Sequence, residues 1–459
     1  MLKLFNTRTN RIDTINITDD YIGVYTCGPT VYDRVHIGNL KTIFWSDFFV
    51  SFLEYLYPNK VNAIINITDI DDKIISRLKK QSIDELISYT DNYTKLFFDD
   101  LLDFGVYRYH DNYHKVTNNL DEIYKILQKL KNENYAYEVE NGSIYFDSSK
   151  INEYPFPNYK KENYNEYVNE RDIIRDVGIK DHKDFVLWKC KQNEKIQWQY
   201  EDIKSGRPGW HIECSAIANK HLKNVTFHIG GEDLKFPHHT CEILQSESFD
   251  NTKTFGKYWL HIGFLNFNGD KMSKSLGNIL TLDKININKY LLRYYLFQKH
   301  YRKQNDFSFE EINDYKTPFL NLHKLYNKFK YGLMNFIDTD NDKTLIFDEI
   351  VKIISNDLDT KNSLSKLNKY VTFWLQNKVS LNDSRLILSE LDKINKLFKI
   401  LDPNILFIPE QIQRIIEERN QCKIDKNYKI GDTLRQHIID QGFILEDYRD
   451  HYIIIKNII

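Results

Sequence analysis

The sequence predicts an α/β chain: a parallel-sheet domain first, a helical bundle behind it and a small module at the end. Residues 61–67, VNAIINI, form a short, continuous apolar run rich in β-branched side chains, the pattern of a strand buried on both faces. Residues 25–41, YTCGPTVYDRVHIGNLK, read as a strand end, a Gly28-Pro29 turn and a helix start. Behind that start Ile43, Phe44, Trp45, Phe48, Phe49, Phe52 and Leu53 recur at helical spacing. From 306 to about 401 the pattern is helical throughout, as a bundle requires.

A chain of 459 residues is too long for one core, and two to four domains are expected. Its net charge is −2 and its pI about 6.7, so any nucleic-acid contact must come from local basic patches. Five cysteines, an odd number over a long chain, do not make a disulfide framework and point to a reduced, cytoplasmic setting. The N-terminus, MLKLFNTRTN, has no apolar signal segment, and no run is long enough to span a bilayer. The bias toward Asn, Lys, Ile and Tyr is chain-wide and carries no functional information.

Taken in order, the first strand ends at Val24 and Tyr25 and leads into Cys27, a soft thiol, before the turn. The helix after it opens with His36-Ile37-Gly38-Asn39. Such an N-terminus suits phosphates, because its first backbone N–H groups lack intrahelical partners. Gly38 lets a ligand approach the backbone, and His36 and Asn39 can donate hydrogen bonds to it. The strand at 61–67 ends in Thr68-Asp69-Ile70-Asp71-Asp72-Lys73, at the carboxyl end where open α/β sheets bind ligands. Helical spacing recurs over 84–104 and 118–130, and GSIYFD at 142–147 reads as a strand. Residues 151–182 are polar, aromatic and irregular, an insertion whose fold the sequence does not give.

The block from 184 to 247 carries more chemistry. GRPGWHIECSAIA at 206–218 follows a glycine- and proline-punctuated loop; 225–229 reads as a strand that Gly230-Gly231 breaks. Pro237 suits the first turn of a helix on which His238 and Glu242, at i and i+4, share a face. Cys27, Cys214, His238 and Glu242 together offer two thiolates, an imidazole and a carboxylate, a possible zinc set. His239 and Cys241 are equally available by spacing, and any of these cysteines taken singly could be a small buried hydrophobe.

Residues 263–280, GFLNFNGDKMSKSLGNIL, set Lys271 and Lys274 three apart on a loop between glycine turns. Paired ammonium groups there answer the charge that develops on transferring phosphates. The stretch after it clusters Arg293, Lys299, His300, Tyr301, Arg302 and Lys303 and could face a phosphate backbone. Polar turns are expected near 338–342 and 377–383. Pro403 and Pro409 mark a linker, followed by helices around 415–423 and 432–440 and a strand near 452–455.

TCGPTVYDxxHIGN, NITDIDDK, GRPGWHIECSA, GGEDLxFPHH and KMSKS, in this order and spacing, resemble the cysteinyl-tRNA synthetases, class I aminoacyl-tRNA synthetases. The resemblance is strong to about residue 310 and looser through the helical part. It implies a Rossmann-type catalytic domain over 1–305 with a connective insertion at about 110–205, a helical bundle over 306–402 and an anticodon-binding module over 403–459. It further implies one Zn²⁺ per chain on the residues matching Cys27, Cys214, His238 and Glu242, which favours Glu242 over Cys241. Gly28, Thr68, Trp210, His228 and Asp233 would line the amino-acid pocket. His36, Gly38, Asn39, Lys271 and Lys274 would bind ATP, taken up with Mg²⁺, and of these His36, Asn39 and the two lysines would be catalytic. The partners implied are L-cysteine, ATP and tRNA(Cys), with no membrane, and the protein would be a monomer. The chain departs from the family pattern in several places. Asn39 stands for the second histidine of HIGH, Lys41 for a frequent arginine, and FPHHENE has become FPHHTCE. No tryptophan follows Trp374, so the details of anticodon contact differ from the usual pattern.

The expected chemistry is formation of cysteinyl-adenylate and pyrophosphate from cysteine and ATP, then transfer of cysteine to the terminal adenosine of tRNA. A paralogous ligase that acylates a small-molecule amine would share this chemistry but lack the end module at 410–459. A non-catalytic tRNA-binding or structural-zinc protein would have no use for His36, Lys271 and Lys274.

Overall fold

The computed structural model describes residues 1–167, 176–251, 254–272, 277–330, 346–377, 379–447 and 452–457. It separates into two compact units, one of residues 1–284 and 301–307, the other of 285–300 and 308–459.

The first unit is built on a five-stranded sheet of strands β1 (Ile22–Thr26), β2 (Val61–Ile67), β3 (Tyr113–Lys115), β9 (Phe227–Gly231) and β10 (Tyr258–Ile262), in the order β10-β9-β1-β2-β3. Every pairing in it is parallel. Each strand of β1, β9 and β10 is buried almost throughout, which explains why the sequence shows unbroken apolar runs instead of alternation. The chain order reverses between β1 and β9, the place where a doubly wound sheet leaves a crevice beyond its strand ends. Helix α1 (Ile37–Leu56) returns the chain from β1 to β2. It is apolar on most sides and correspondingly buried: Phe44, Phe48, Phe49 and Phe52 are each at most 1% exposed. Truncating any one of these phenylalanines to alanine costs about 3–5 kcal/mol. Helix α2 (Ile83–Asp103) starts at a side-chain cap: Ser82 Oγ accepts from Glu85 N–H, while the Glu85 carboxylate accepts from the N–H groups of Lys79, Lys80 and Gln81 in the turn before it.

After α3 (Leu120–Asn132) the insertion forms its own antiparallel sheet. Its strands are β4 (Ala136–Glu138), β5 (Ile144–Phe146), β6 (Phe185–Lys189), β7 (Trp198–Tyr200) and β8 (Ile203–Pro208), in the order β4-β5-β6-β8-β7. Phe146, Trp188 and Ile203 from this sheet share one apolar core with Tyr25, Ile64 and Ile217. Asp72, from the NITDIDDK segment, accepts from Lys189 (2.7 Å), Lys191 (3.0 Å) and Arg207 (2.5 Å). Burial opposes its charge, but the three cations outweigh it and hold the carboxyl well below the usual range. Asp72 is therefore a tether between the NITDIDDK segment and the insertion.

Helix α4 (Trp210–His221) and helix α5 (Thr240–Phe249) flank β9 in the chain. Short strands β11 (Leu265–Phe267) and β12 (Asp270–Lys271) form a hairpin after β10, and β13 (Asn305–Phe307) pairs in parallel with β11. Ser273, Lys274 and Ser275 lie outside the described residues.

The second unit is helical: α6 (Lys289–Leu296), α7 (Lys316–Lys330), α8 (Ile346–Ile354), α9 (Thr360–Gln376), α10 (Leu381–Phe398), α11 (Glu410–Ile424) and α12 (Tyr428–Asp440), ending in a hairpin of β14 (Phe443–Asp447) and β15 (Tyr452–Lys456). Ile412, Ile416, Ile438, Leu445 and Ile454 close a small core there. The turn expected at 338–342 falls outside the described residues. The basic stretch from Arg293 to Lys303 is not one exposed face. Arg293 is 1% exposed and donates to the Phe398 carbonyl, Tyr301 is fully buried, and the stretch divides between the two units after His300. Every residue of α6 from Leu291 to Leu296 is buried, so Arg293 is enclosed with its neighbours and finds its partner in the main chain. No described helix is long and apolar enough to cross a membrane.

Candidate active site

The crevice beyond β1 and β9 is built by the loop after β1. Cys27 N–H donates to Ile229 O on β9 (2.9 Å), and Gly28 N–H to the Asn66 side chain (2.8 Å). Thr68 N–H donates to Pro29 O and Val31 N–H to Thr68 O, so the loop is stitched to the end of β2 as well. A Cβ on Gly28 would lie 1.8 Å from the Asn66 carbonyl oxygen, and only glycine fits that approach.

Into this crevice the fold brings Cys27, Cys214 on α4, and His238 and Glu242 beside and on α5, all buried. Pro237 is joined to Phe236 by a cis bond, and His238 next to it meets Glu242 at i, i+4. The donor separations are 3.9 Å between the two Sγ atoms, 3.5 Å from Cys214 Sγ to His238 Nε2, 2.7 Å from His238 Nε2 to Glu242 Oε1, and 3.5 Å from Cys27 Sγ to Glu242 Oε1. A tetrahedral ion with ligand bonds of about 2.0–2.3 Å needs edges of roughly 3.3–3.8 Å. The set fits such an ion with small adjustments, and Cys241 is not part of it. A second, overlapping set joins Cys27 and Glu242 to His228 and His239.

The charges in the cluster settle one another. Burial, Cys214 and Glu242 push the Cys27 thiol up, whereas Cys214 moves down, burial opposing and the contacts with Cys27 and His238 prevailing. His238 is pushed up to about 10, against burial, by Glu242 and Cys214. Glu242, despite complete burial, is held well below the usual carboxylate range by His228 and His238.

Around the donors lies a ring of supporting side chains. His228 Nε2 sits 2.7 Å from Glu242 Oε2 and its ring stacks on Trp259 with centroids 3.9 Å apart. Trp210, the first residue of α4, stacks on His238 at 4.2 Å, and His211 Nδ1 faces His238 Nδ1 at 3.0 Å. These partners fix ring orientation as outer-shell groups do around a metal. His228 is 0% exposed and meets Glu242 from within the core. Thr68 takes part in a chain of hydrogen bonds running from Asn66 Nδ2 to Thr68 Oγ1 (3.1 Å) and on to Glu213 Oε2 (3.2 Å). Burial raises Glu213 well above the usual range, with Cys214 adding to it.

The HIGN turn and Lys271, expected to bind phosphates, make contacts of their own. His36 caps α1, its Nδ1 accepting from Asn39 N–H at 3.3 Å. Ile37 N–H is already taken by Leu280 O (2.9 Å), and His36 bridges to Thr281. A Cβ on Gly38 would meet the His36 ring at 2.9–3.0 Å, so Gly38 makes room for that ring. Lys271 reaches Asp233 Oδ2 at 2.9 Å. Sequence reasoning gave no role to Asn66, His211 and Glu213, though they lie inside NITDIDDK and GRPGWHIECSA, and it missed Trp259 and His261, the latter 2.8 Å from His239, which only packing between distant segments brings in.

The family model for the tRNA synthetases class I (C) catalytic domain matches residues 14–317. The cysteine–tRNA ligase of Clostridioides difficile is 32% identical over 471 residues, spanning 98% of both chains, and that of Methanococcus maripaludis is 33% identical over 97% of each. The chain belongs to the cysteine–tRNA ligase family. Among solved structures, Mycobacterium tuberculosis methionyl-tRNA synthetase in complex with methionyl-adenylate matches with a TM-score of 0.57 at 13% identity, over 83% of this chain and 89% of that one. A putative arginyl-tRNA synthetase from Campylobacter jejuni gives 0.53 at 15%, over 83% and 92%. At such identities the likeness speaks for the fold alone, the Rossmann-type fold of class I synthetases. Within this family assignment, the chain carries a buried Cys/His/Glu set able to hold a metal.

Proposed function

We propose that the protein activates L-cysteine with ATP and transfers it to the 3′-terminal adenosine of tRNA(Cys), using one zinc ion held by Cys27, Cys214, His238 and Glu242. The observation that carries this is the convergence of those four donors at the switch point of the parallel sheet. The set of two soft thiolates, an imidazole and a carboxylate suits Zn²⁺. When bound, the ion would take the substrate sulfur as a thiolate, which a serine hydroxyl cannot imitate at neutral pH.

The residues of the chain then bind and orient. Trp210 and His228 keep His238 and Glu242 in place, and Gly28, Thr68 and Asp233 line the space for the amino acid. The cysteine carboxylate attacks the α-phosphorus of ATP and pyrophosphate leaves; the ribose hydroxyl of tRNA then attacks the adenylate carbonyl and AMP leaves. His36, Gly38 and Asn39 hold the phosphates of Mg·ATP, and Lys271 with Lys274 neutralises the departing pyrophosphate, so that positioning and charge supply most of the rate. The bundle over 306–402 and the module over 403–459 serve the tRNA. An apolar pocket separates groups this small by only about 1–3 kcal/mol, so shape alone would not reject serine.

ATP–pyrophosphate exchange with cysteine, serine and alanine in parallel tests the reading. Exchange is expected with cysteine alone; equal exchange with serine would refute selection by the metal. Charging of a tRNA(Cys) transcript, as against a small amine, checks the acceptor.

A further inference from the structure

Lys41 lies on α1 just past the HIGN residues and is 1% exposed. Its ammonium donates to three backbone carbonyls: Gly263 O at 2.7 Å, Lys303 O at 3.2 Å and Phe264 O at 3.3 Å. In its charged form that uses all three of its protons. Burial pulls the amine down to about 7, against the field of Glu232, so the side chain stays in place at a considerable desolvation cost. A leucine or methionine would fill the same space without that cost, so what the ammonium adds is the fixing of those carbonyls.

The carbonyls belong to a particular place in the chain. Gly263 and Phe264 link β10 to β11, the strand that turns into β12 and ends at Lys271, the first lysine of KMSKS. Lys303 leads into β13, which pairs with β11 through Leu265 and Asn305. Two more bonds close this junction, Gly263 N–H to Tyr301 O (2.9 Å) and Asn305 N–H to Phe264 O (3.0 Å). The Phe264 ring lies 4.2 Å under the Lys271 ammonium. On the far side of the loop, Leu280 and Thr281 are bound to the start of the same helix through Ile37 and His36. Helix α1 thus holds both the entry and the exit of the KMSKS loop.

We propose that Lys41 is a positioning residue for ATP: it pins the base of the KMSKS hairpin to the HIGN helix, so that Lys271 and His36 meet the same triphosphate. It rests on the activity proposed above. Its effect is confined to the nucleotide side, because none of its bonds reaches the Cys27, Cys214, His238 and Glu242 set.

An internal control exists. Lys328 in the helical unit is likewise buried and donates to three carbonyls, those of Trp374, Leu375 and Asn377. Pyrophosphate exchange is measured for the wild type, Lys41→Met, Lys41→Arg and Lys328→Met, with metal content and thermal unfolding followed in each. Lys41→Met is expected to lower kcat/KM for ATP by about 10- to 100-fold, as misplacement of a positioned group does. Its KM for cysteine should stay within about twofold of wild type, as binding on the metal side is untouched by the change. Metal content should not change. Lys41→Arg, which keeps the charge and the donors, is expected to recover most of the loss, and Lys328→Met to lower stability with no selective effect on ATP. Equal losses toward ATP and cysteine, loss of metal, or unchanged ATP kinetics in Lys41→Met would overturn the proposal. Should Lys41→Met fail to fold, Lys41→Gln is read by the same criteria. No cysteine-dependent exchange by the wild-type protein would instead refute the activity itself, and this inference with it.

Discussion

Buried ionisable side chains are satisfied in two ways, and a cluster in each unit shows the difference. In the sheet-based unit they face one another: Cys27 meets Cys214 across 187 positions of sequence, and His228 and His238 share Glu242. In the helical unit Lys328 and His323 face the main chain instead: Lys328 ends on three carbonyls, and His323 is held between the Phe319 carbonyl and the Asp402 N–H. Groups that face one another leave charge to be settled by a bound ion or a substrate. Groups that end on the backbone are already satisfied and serve as pegs. Lys41 is of the second kind inside the first unit, which is why it reads as a positioning device and not as part of the pocket.

The largest break in this contrast is expected from Cys214→Ser. Outer-shell changes at metal sites already cost 10- to 100-fold, so loss of a donor should lower cysteine-dependent exchange by at least about 100-fold. Metal should be lost on elemental analysis, while the unfolding of the helical unit stays where it was. Full retention of metal would mean that the second set, with His228 and His239, is the one that binds.

A middle-sized effect is expected at His323, and it depends on pH. Burial holds its imidazole down to about 4, with Phe319 and Asp402 opposing. The folded state therefore disfavours the proton that the unfolded chain binds near pH 6.5. The stabilisation is present above that pH and drains away as pH falls from about 6.5 toward 4. By linkage, the helical unit should lose about 2 kcal/mol between pH 7 and pH 5 from this group alone. Urea unfolding of wild type and His323→Gln at both values checks this: the variant should begin less stable and lack the slope. Equal slopes would show that His323 is not the group responsible.

The smallest effect is expected where a charge faces solvent. Arg414 and Glu410 form an i,i+4 pair at 2.5 Å on α11, with side chains 74% and 78% exposed. Glu410→Gln should change unfolding by less than about 0.5 kcal/mol, falling further with added salt. A larger change would mean that the surface of this unit is more than a solvated face.

Much of the sheet was legible because its information is local. The run at 61–67 is β2 to the residue, the spacing over 84–104 is α2 within a residue at each end, and 225–229 overlaps β9. The insertion was legible only in part: GSIYFD at 142–147 holds β5, and the spacing over 118–130 is most of α3, but the rest of its sheet was not read. Its strands are short, β8 pairs with β7 and β5 with β6 through shifted registers, and its core is shared with residues as far away as Tyr25 and Ile217. The site was legible in its residue types and less so in their duties. HIGN reads as a phosphate turn, yet Gly38 accommodates His36 and Ile37 is spent on Leu280.

What the sequence determined by itself is therefore the set of elements and the chemistry on hand: strands, helices, a soft-donor set and paired lysines, all written in spacing that the backbone obeys locally. Only the tertiary structure decided which donors meet. It chose Glu242 over Cys241, placed Trp210 and His228 behind the donors, drew Arg293 inward and set Lys41 on three carbonyls. Those outcomes depend on the path of the chain between distant segments. The cost of burying a charge, and the partners that offset it, exist only once that path has closed.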